Sequence, residues 1–422
     1  MSNSVINSSL TSTNHRISRL LIFVNTSQHL PIGAEALLVA LATPSLRGLT
    51  GIPVLLWGRP GVGKSSFIEG LATKDLAVTT LIASIHDPTD FSGLPVLVDG
   101  KVNYAVPRWV DDFKDTETGI LFLDELSTAP PSVQSALLRV VFERKVGFHP
   151  LPSSVRIVAA ANPPDLMVGG WELSPPLRNR FVHLNWDIST DVYINALNRG
   201  WEQGTLPLVD PEAHAQKLRD YQTKITGFLR IKPDALHASP EENKYGFASP
   251  RSWDFAAALL AAADLLGYHL NDGASNNVLF ELTTGCLGEP VAIMLLEYLS
   301  NLRLPDPVEL LSEKTTLDLK ELDDGEVFVL FASLNDQLKR VFSGEELLPY
   351  SRVYLKLAEV AFQSGRRDVV FVPLKDLART QWLQTLVNAA QAAGPDEFTD
   401  VNTHINSLFS DPGLNEFISV LS

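Results

Sequence analysis

A glycine-rich stretch with one lysine and two hydroxyls is the first place where chemistry could occur: Gly58-Arg59-Pro60-Gly61-Val62-Gly63-Lys64-Ser65-Ser66. Its spacing is G-x-x-x-x-G-K-S, an apolar run (Val54–Trp57) precedes it, and the helical pattern Phe67–Ala72 follows. Glycines at these points let successive backbone N–H groups turn inward, making a concave anion site where a helix begins. Lys64 would then reach β- and γ-phosphates, and the Ser65 hydroxyl would ligate Mg²⁺. The stretch predicts binding of a nucleoside triphosphate.

Other apolar runs end in polar groups of complementary use. Ile120–Leu123 ends in Asp124 and Glu125. Neighbouring side chains on a strand point to opposite faces, so Asp124 would help hold hydrated Mg²⁺ while Glu125 polarises an attacking water. The same two acids could instead cap a following helix. Val155–Ala161 ends in Asn162, whose amide can bond both a γ-phosphate and the water that attacks it, or can simply begin the turn that Pro163-Pro164 imposes. Arg178 and Arg180 stand where a short helix gives way to a strand. A guanidinium there can stabilise charge on a neighbour's γ-phosphate, or satisfy a helix dipole. Arg251 falls in the first turn of a helix that Ser249 caps and Pro250 opens, where a cation is unfavourable unless an anion meets it; a solvated arginine is the alternative.

The elements that must position these groups are legible from periodicity. Strands are expected at Val54–Trp57, Thr79–Ala83, Ile120–Asp124, Arg156–Ala161 and Val182–Leu184, with helices at Ala34–Thr43, Lys64–Ala72 and Pro131–Phe142. This alternation predicts an α/β fold with a mostly parallel sheet flanked by helices. Two hairpins interrupt it: Leu94–Val98 and Lys101–Ala105 about Asp99-Gly100, and a second around Arg144–Ser153. The expected division is a flexible tail (1–30), an α/β nucleotide-binding core (31–189), an α-helical lid (190–304) and a mostly helical C-terminal module (305–422), the last joined through Pro305-Asp306-Pro307. Its acidic run, Glu321–Glu326, reads as a solvated loop.

Composition narrows the function classes. The 422 residues include 49 Asp plus Glu against 34 Lys plus Arg, a net charge of −15 that opposes phosphodiester backbones. Cys286 is the single cysteine, so an intrachain disulfide and a cysteine-based zinc cage are excluded, and the nine histidines lack metal-ligand spacing. Met1–Asn14 is rich in Ser, Asn and Thr without an apolar segment, which reads as a tail rather than a signal peptide. No stretch has the length of a membrane span, and a cytoplasmic location is expected.

Taken in order, Gly58–Ser65, Leu123-Asp124-Glu125, Ala160-Ala161-Asn162-Pro163, Arg178-Asn179-Arg180-Phe181 and Ser249-Pro250-Arg251 resemble the motifs of a MoxR-like AAA+ ATPase, over about residues 32–304. In that family they are Walker A, Walker B, sensor 1, arginine finger and sensor 2. The resemblance implies an AAA+ P-loop core with a helical lid, ATP and Mg²⁺ as cofactors, and catalytic roles for Glu125, Asn162, Arg180 or Arg178, and Arg251. The finger maps best onto Arg180, which directly precedes Phe181; Asn179 departs from the family's D-R-F or S-R-F ending and keeps Arg178 as the second choice. The resemblance further implies a homo-oligomer, a hexameric ring, with both hairpins facing its pore and a von Willebrand factor A-type protein as client. It does not extend to 308–422. Two alternatives remain at this stage. A motor on nucleic acid would use basic hairpin residues, for which Lys101, Arg144 and Lys145 are the candidates; a nucleotide-gated scaffold in a signalling or defence assembly would not need an intact Glu125 and Asn162.

Overall fold

The computed structural model describes residues 30–44, 48–114, 118–166, 170–201, 204–241, 243–270, 272–341, 344–410 and 414. The expected tail lies outside these residues, apart from Leu30. The strands are β1 (Val54–Trp57), β2 (Leu76–Ile82), β3 (Leu94–Val98), β4 (Lys101–Ala105), β5 (Thr118–Asp124), β6 (Lys145–Val146), β7 (His149–Pro150), β8 (Val155–Ala161) and β9 (Val182–Asn185). Five of them form one all-parallel sheet in the order β2-β5-β8-β1-β9, so the expected fold class holds.

Burial explains why the central strands read as unbroken apolar runs. Every residue of β1 and β8 is buried, as are Gly119–Leu123 of β5. A strand covered on both faces has no polar side to alternate with. The edge strand β2 starts at Leu76 rather than at the expected Thr79, because pairing with β5 runs from Leu76 opposite Thr118 to Ile82 opposite Asp124. On one face, the helix Pro131–Glu143 packs Val133, Leu137, Val140 and Val141 into a core with Leu55, Leu121 and Ile157. The helix Ala34–Ala42 is buried at every position but Glu35, which is half-buried.

Both expected hairpins form. Asp99 (φ 50°) and Gly100 (φ 73°) make the left-handed two-residue turn between β3 and β4. The second hairpin, β6–β7, corrects the reading of its basic residues. Arg144 is 2% exposed, with Nε donating to Val155 O at 3.1 Å and Nη2 to Gly51 O at 3.4 Å, while Nη1 donates to Val141 O. It therefore fastens the end of the Pro131–Glu143 helix to β8 and cannot reach a nucleic acid. Lys145 lies 3.9 Å from the Glu143 carboxylate.

The chain divides into two compact units: one of Met1–Tyr221 with Ala235–Glu297, the other of Gln222–Asp234 with Tyr298–Ser422. The first unit takes in the nucleotide core together with much of the expected lid. In the second, helices Asp324–Arg340, Leu347–Gln363, Arg367–Ala378, Trp382–Ala393 and Pro395–Phe409 enclose Phe331, Tyr354 and Trp382, whose rings meet edge-on at 5.4 and 5.9 Å. The acidic run is more than a solvated loop. Asp323 Oδ1 accepts from Glu326 N at 2.8 Å, and Glu326 Oε2 accepts from Asp323 N at 2.9 Å, a reciprocal cap on the Asp324–Arg340 helix. Asp323→Ala is expected to lower stability in urea titrations by about 1 kcal/mol; an unchanged midpoint would mean that this pair does not hold the helix start.

Candidate active site

The phosphate loop joins β1 to the helix Lys64–Gly70, and its shape depends on residues that tolerate unusual backbone angles. Gly61 and Gly63 adopt φ of +79° and +73°, a region that side chains with a Cβ rarely occupy. Lys64 is buried and folded back on its own loop: Nζ donates to Gly58 O at 2.6 Å and to Arg59 O at 3.0 Å. Burial lowers its pKa, and the nearby Asp124 carboxylate partly opposes that shift. The ammonium is thus held by two weak carbonyl acceptors that an anionic phosphate can outcompete.

A cavity of about 320 Å³ opens over this loop. Its walls are Pro60, Gly61, Val62, Gly63, Lys64, Ser65 and Ser66 from the loop, Asp124 and Glu125 from the end of β5, and Ala160, Ala161 and Asn162 from the end of β8. Gly58 and Arg59 do not line it; their carbonyls hold Lys64. Ser65 Oγ donates to Asp124 Oδ2 at 2.6 Å, so the two oxygens expected to serve Mg²⁺ already lie side by side. Hard oxygen donors beside a phosphate loop fit a magnesium ion with its retained waters. Asp124 Oδ1 also accepts from Glu125 N at 2.8 Å, which helps to keep Glu125 in a left-handed conformation, φ 54° and ψ 39°. A glutamate in that region is strained, and such strain aims side chains at functional sites. Its carboxylate takes a hydrogen bond from Ser84 Oγ at 3.1 Å. Ser84, just past β2, carries no signature in the sequence; only strand order brings it beside Glu125. Asn162 N donates to Ser127 Oγ at 3.3 Å, which anchors its backbone at the cavity wall.

The three arginines do not line this cavity. Arg178 Nη2 donates to Pro240 O at 2.8 Å and to Asn243 O at 2.7 Å, and its guanidinium lies 5.4 Å from the Phe247 ring. Arg180 Nη1 donates to Pro176 O at 2.5 Å, with its guanidinium 5.3 Å from Phe142. Arg251 approaches the same ring at 4.5 Å, and its Nη1 donates to Asn179 Oδ1 at 3.0 Å. Asn179, the departure from the family ending, has a use: its Nδ2 donates to Ser249 Oγ at 2.9 Å, joining the arginine segment to the cap of the next helix. The cation in that first turn is met by an amide oxygen and an aromatic face.

Sequence reading missed two further features. A cavity of about 560 Å³ adjoins the loop, lined by Gly61–Gly63, Ser66, Phe67 and Gly70 together with Pro31, Ile188, Thr190, Tyr193 and Trp201. Its apolar and aromatic walls suit the flat base of a nucleotide. Its residues come from three separated segments, so no local pattern marks it. The second feature is a buried bridge: Trp57 Nε1 donates to His183 Nδ1 at 2.9 Å, and His183 Nε2 donates to Arg178 O at 2.9 Å. Burial, together with the Arg178 charge, outweighs the Arg178 carbonyl and pushes the His183 pKa down to about 4, so the ring is neutral.

Residues 53–181 match the family described as AAA domain (dynein-related subfamily). The chaperone MoxR1 of Mycobacterium tuberculosis is 34% identical over 140 residues, 31% of this chain and 34% of that protein. The Psp operon transcriptional activator of Escherichia coli is 35% identical over 119 residues, 26% of this chain and 37% of its own length. A solved structure from Cytophaga hutchinsonii aligns with 69% of this chain at 14% identity and a TM-score of 0.42. The chain thus spans about a third of the length of those two curated relatives. The matched segment is an AAA+ nucleotide-binding domain. Within that class it is MoxR-like.

The His183 bridge has a pH signature. A histidine near 6.5 when unfolded and about 4 when folded adds stability above pH 6.5 that is lost as pH falls toward 4. Between pH 7 and 5 the loss from this group is expected to be roughly 2 kcal/mol. Urea unfolding of His183→Gln should show a correspondingly shallower pH dependence; parallel curves for variant and wild type would show that His183 protonates freely.

Proposed function

We propose that the chain binds Mg-ATP and hydrolyses it within a ring of identical subunits, in the cytoplasm, and uses the cycle to remodel or activate a protein client. The observation that carries this reading is the meeting of Lys64, Ser65, Asp124, Glu125 and Asn162 round one cavity, with Arg180 and Arg251 gathered on Phe142 outside it. A site complete but for its arginines is what catalysis between subunits requires.

In this mechanism Lys64 leaves the Gly58 and Arg59 carbonyls to hold the β- and γ-phosphates, and Ser65 and Asp124 would hold Mg²⁺. When bound, the ion supplies charge neutralisation on the phosphate oxygens. Glu125 accepts a proton from the attacking water, and Asn162 orients that water. Arg180 of one subunit stabilises charge at its neighbour's site, with Arg251 beside it. Arg178, with its guanidinium tied to two carbonyls, is the weaker candidate for that role. Residues 31–189 act as the core, 190–304 as the lid that answers phosphate status, and 305–422 as a module of separate purpose.

A protein client is favoured over nucleic acid by what the hairpins expose. Leu97 is 78% and Phe148 72% exposed, and Leu94 and Val102 are exposed beside them, whereas Arg144 is buried. Tyr104 and Phe148 join the two hairpins edge-on at 5.3 Å, and Leu97 and Val102, paired with each other, share the Tyr104 face. Such a patch fits polypeptide better than a phosphate backbone. MoxR1, the similar protein, is described as a chaperone. A von Willebrand factor A-type client is the partner that the family resemblance suggests. Among the described residues no helix is long and apolar enough to cross a membrane. The intact Glu125 and Asn162 disfavour a scaffold without turnover.

Lys64→Ala is expected to abolish ATP binding, whereas Glu125→Gln keeps binding and loses turnover. Isothermal titration of both variants checks this, and equal loss of affinity in the two would sink the assignment. Arg180→Ala should retain ATP yet lose turnover. Mixing it with Lys64→Ala subunits, which still donate Arg180, should restore hydrolysis; no recovery at any ratio would contradict action across the subunit boundary.

A further inference from the structure

A second cavity of about 560 Å³ lies at the opposite end of β8 from the active site, with Ala42, Leu49, Arg156, Pro207, His214 and Leu218 among its walls. Arg156 is the second residue of β8, while Ala160 and Ala161 of the same strand reach the phosphate cavity. At about 3.3 Å per residue the two places are well separated, so this is not a lobe of the nucleotide site. Its walls are mainly apolar, and its volume falls within the roughly 300–1,000 Å³ typical of small-molecule sites.

The charge here is unusual. Arg156 is 6% exposed; Nε donates to Leu41 O at 2.7 Å and Nη1 to Ser154 O at 3.2 Å. Its Nη2 has no hydrogen-bond partner among the described residues, and no carboxylate there pairs with the group. A second buried guanidinium, Arg144, reaches Gly51 O, and a Cβ built on Gly51 would lie 2.9 Å from Arg156 Cγ. Two buried cations therefore flank Gly51 with carbonyl acceptors only, in a chain with 49 acids to draw on. Burial lowers the pKa of both, to about 9 for Arg144 and about 10 for Arg156, and both stay charged at neutral pH. Buried charges are ordinarily paired. A single guanidinium arm at an apolar wall is too few donors for inorganic phosphate or a nucleotide. It matches one carboxylate on an apolar body.

We propose that this cavity binds a small organic carboxylate with an apolar body, the carboxylate accepting from Arg156 Nη2 and the body lying along Leu49, Pro207 and Leu218. The test is isothermal titration of the full chain with octanoate, 1-octanol and acetate. Octanoate should bind saturably and at least tenfold more tightly than either, since octanol lacks the charge and acetate the body. Arg156→Gln should weaken octanoate at least tenfold. Because Arg156 also ties Leu41 and Ser154, Ala215→Trp provides a second variant: it adds bulk at an exposed wall position, leaves Arg156 in place, and should block octanoate with an unchanged circular dichroism spectrum. No saturable octanoate binding, equal binding of octanol, or undiminished binding to a folded Ala215→Trp protein would each overturn the proposal.

Discussion

Everything at the candidate active site depends on the register of three neighbouring parallel strands. Leu55 of β1 and Leu123 of β5 both pair with Ala159 of β8, so the three strands are in step where they run toward the loops. One residue beyond Leu123 comes Asp124; three beyond Leu55 and Ala159 come Gly58 and Asn162. Asp124, the phosphate loop and Asn162 therefore emerge at one edge because parallel strands all end there. A shift of one residue in any strand would turn these side chains to the other face. Burial of β1 and β8 on both faces makes such a shift costly, since it would carry polar groups into the core.

The arginines follow a different rule. A guanidinium needs acceptors wherever it lies, and each of the three is met locally by carbonyl or amide oxygen and an aromatic face. That arrangement holds Arg180 and Arg251 on Phe142, outside the walls of their own phosphate cavity, and it uses Asn179 to tie the segment before β9 to the Ser249 cap. The His183 bridge extends the same connection inward, from Trp57 at the foot of the loop to the Arg178 carbonyl. Loop, arginine segment and the start of the Pro250–Leu265 helix are thus linked by hydrogen bonds that nucleotide contacts could perturb together.

The parts visible in the sequence were those governed by local rules. Glycine spacing marks the phosphate loop, unbroken apolar runs mark buried strands, and Asp-Gly between β-rich segments marks a hairpin. What was hidden depends on distant contacts. Nothing near Arg144 distinguishes a buried anchor from an exposed pore residue; helix end, β8 and Gly51 decide it together. Ser84 gains meaning only because β2 lies next to β5, and the base cavity assembles from Pro31, the loop and Tyr193. The Asp323–Glu326 cap is legible in principle, as an acid followed three residues later by a glutamate before an apolar run, but net charge alone hides it.

In the proposed mechanism hydrolysis needs an arginine from a second subunit. The most direct measurement is steady-state ATP turnover per subunit across a wide range of protein concentration, with the assembly state followed in parallel by analytical ultracentrifugation. Turnover near zero is expected for dilute single chains, rising to a plateau as the assembly forms. Full turnover by single chains, independent of concentration, would contradict it.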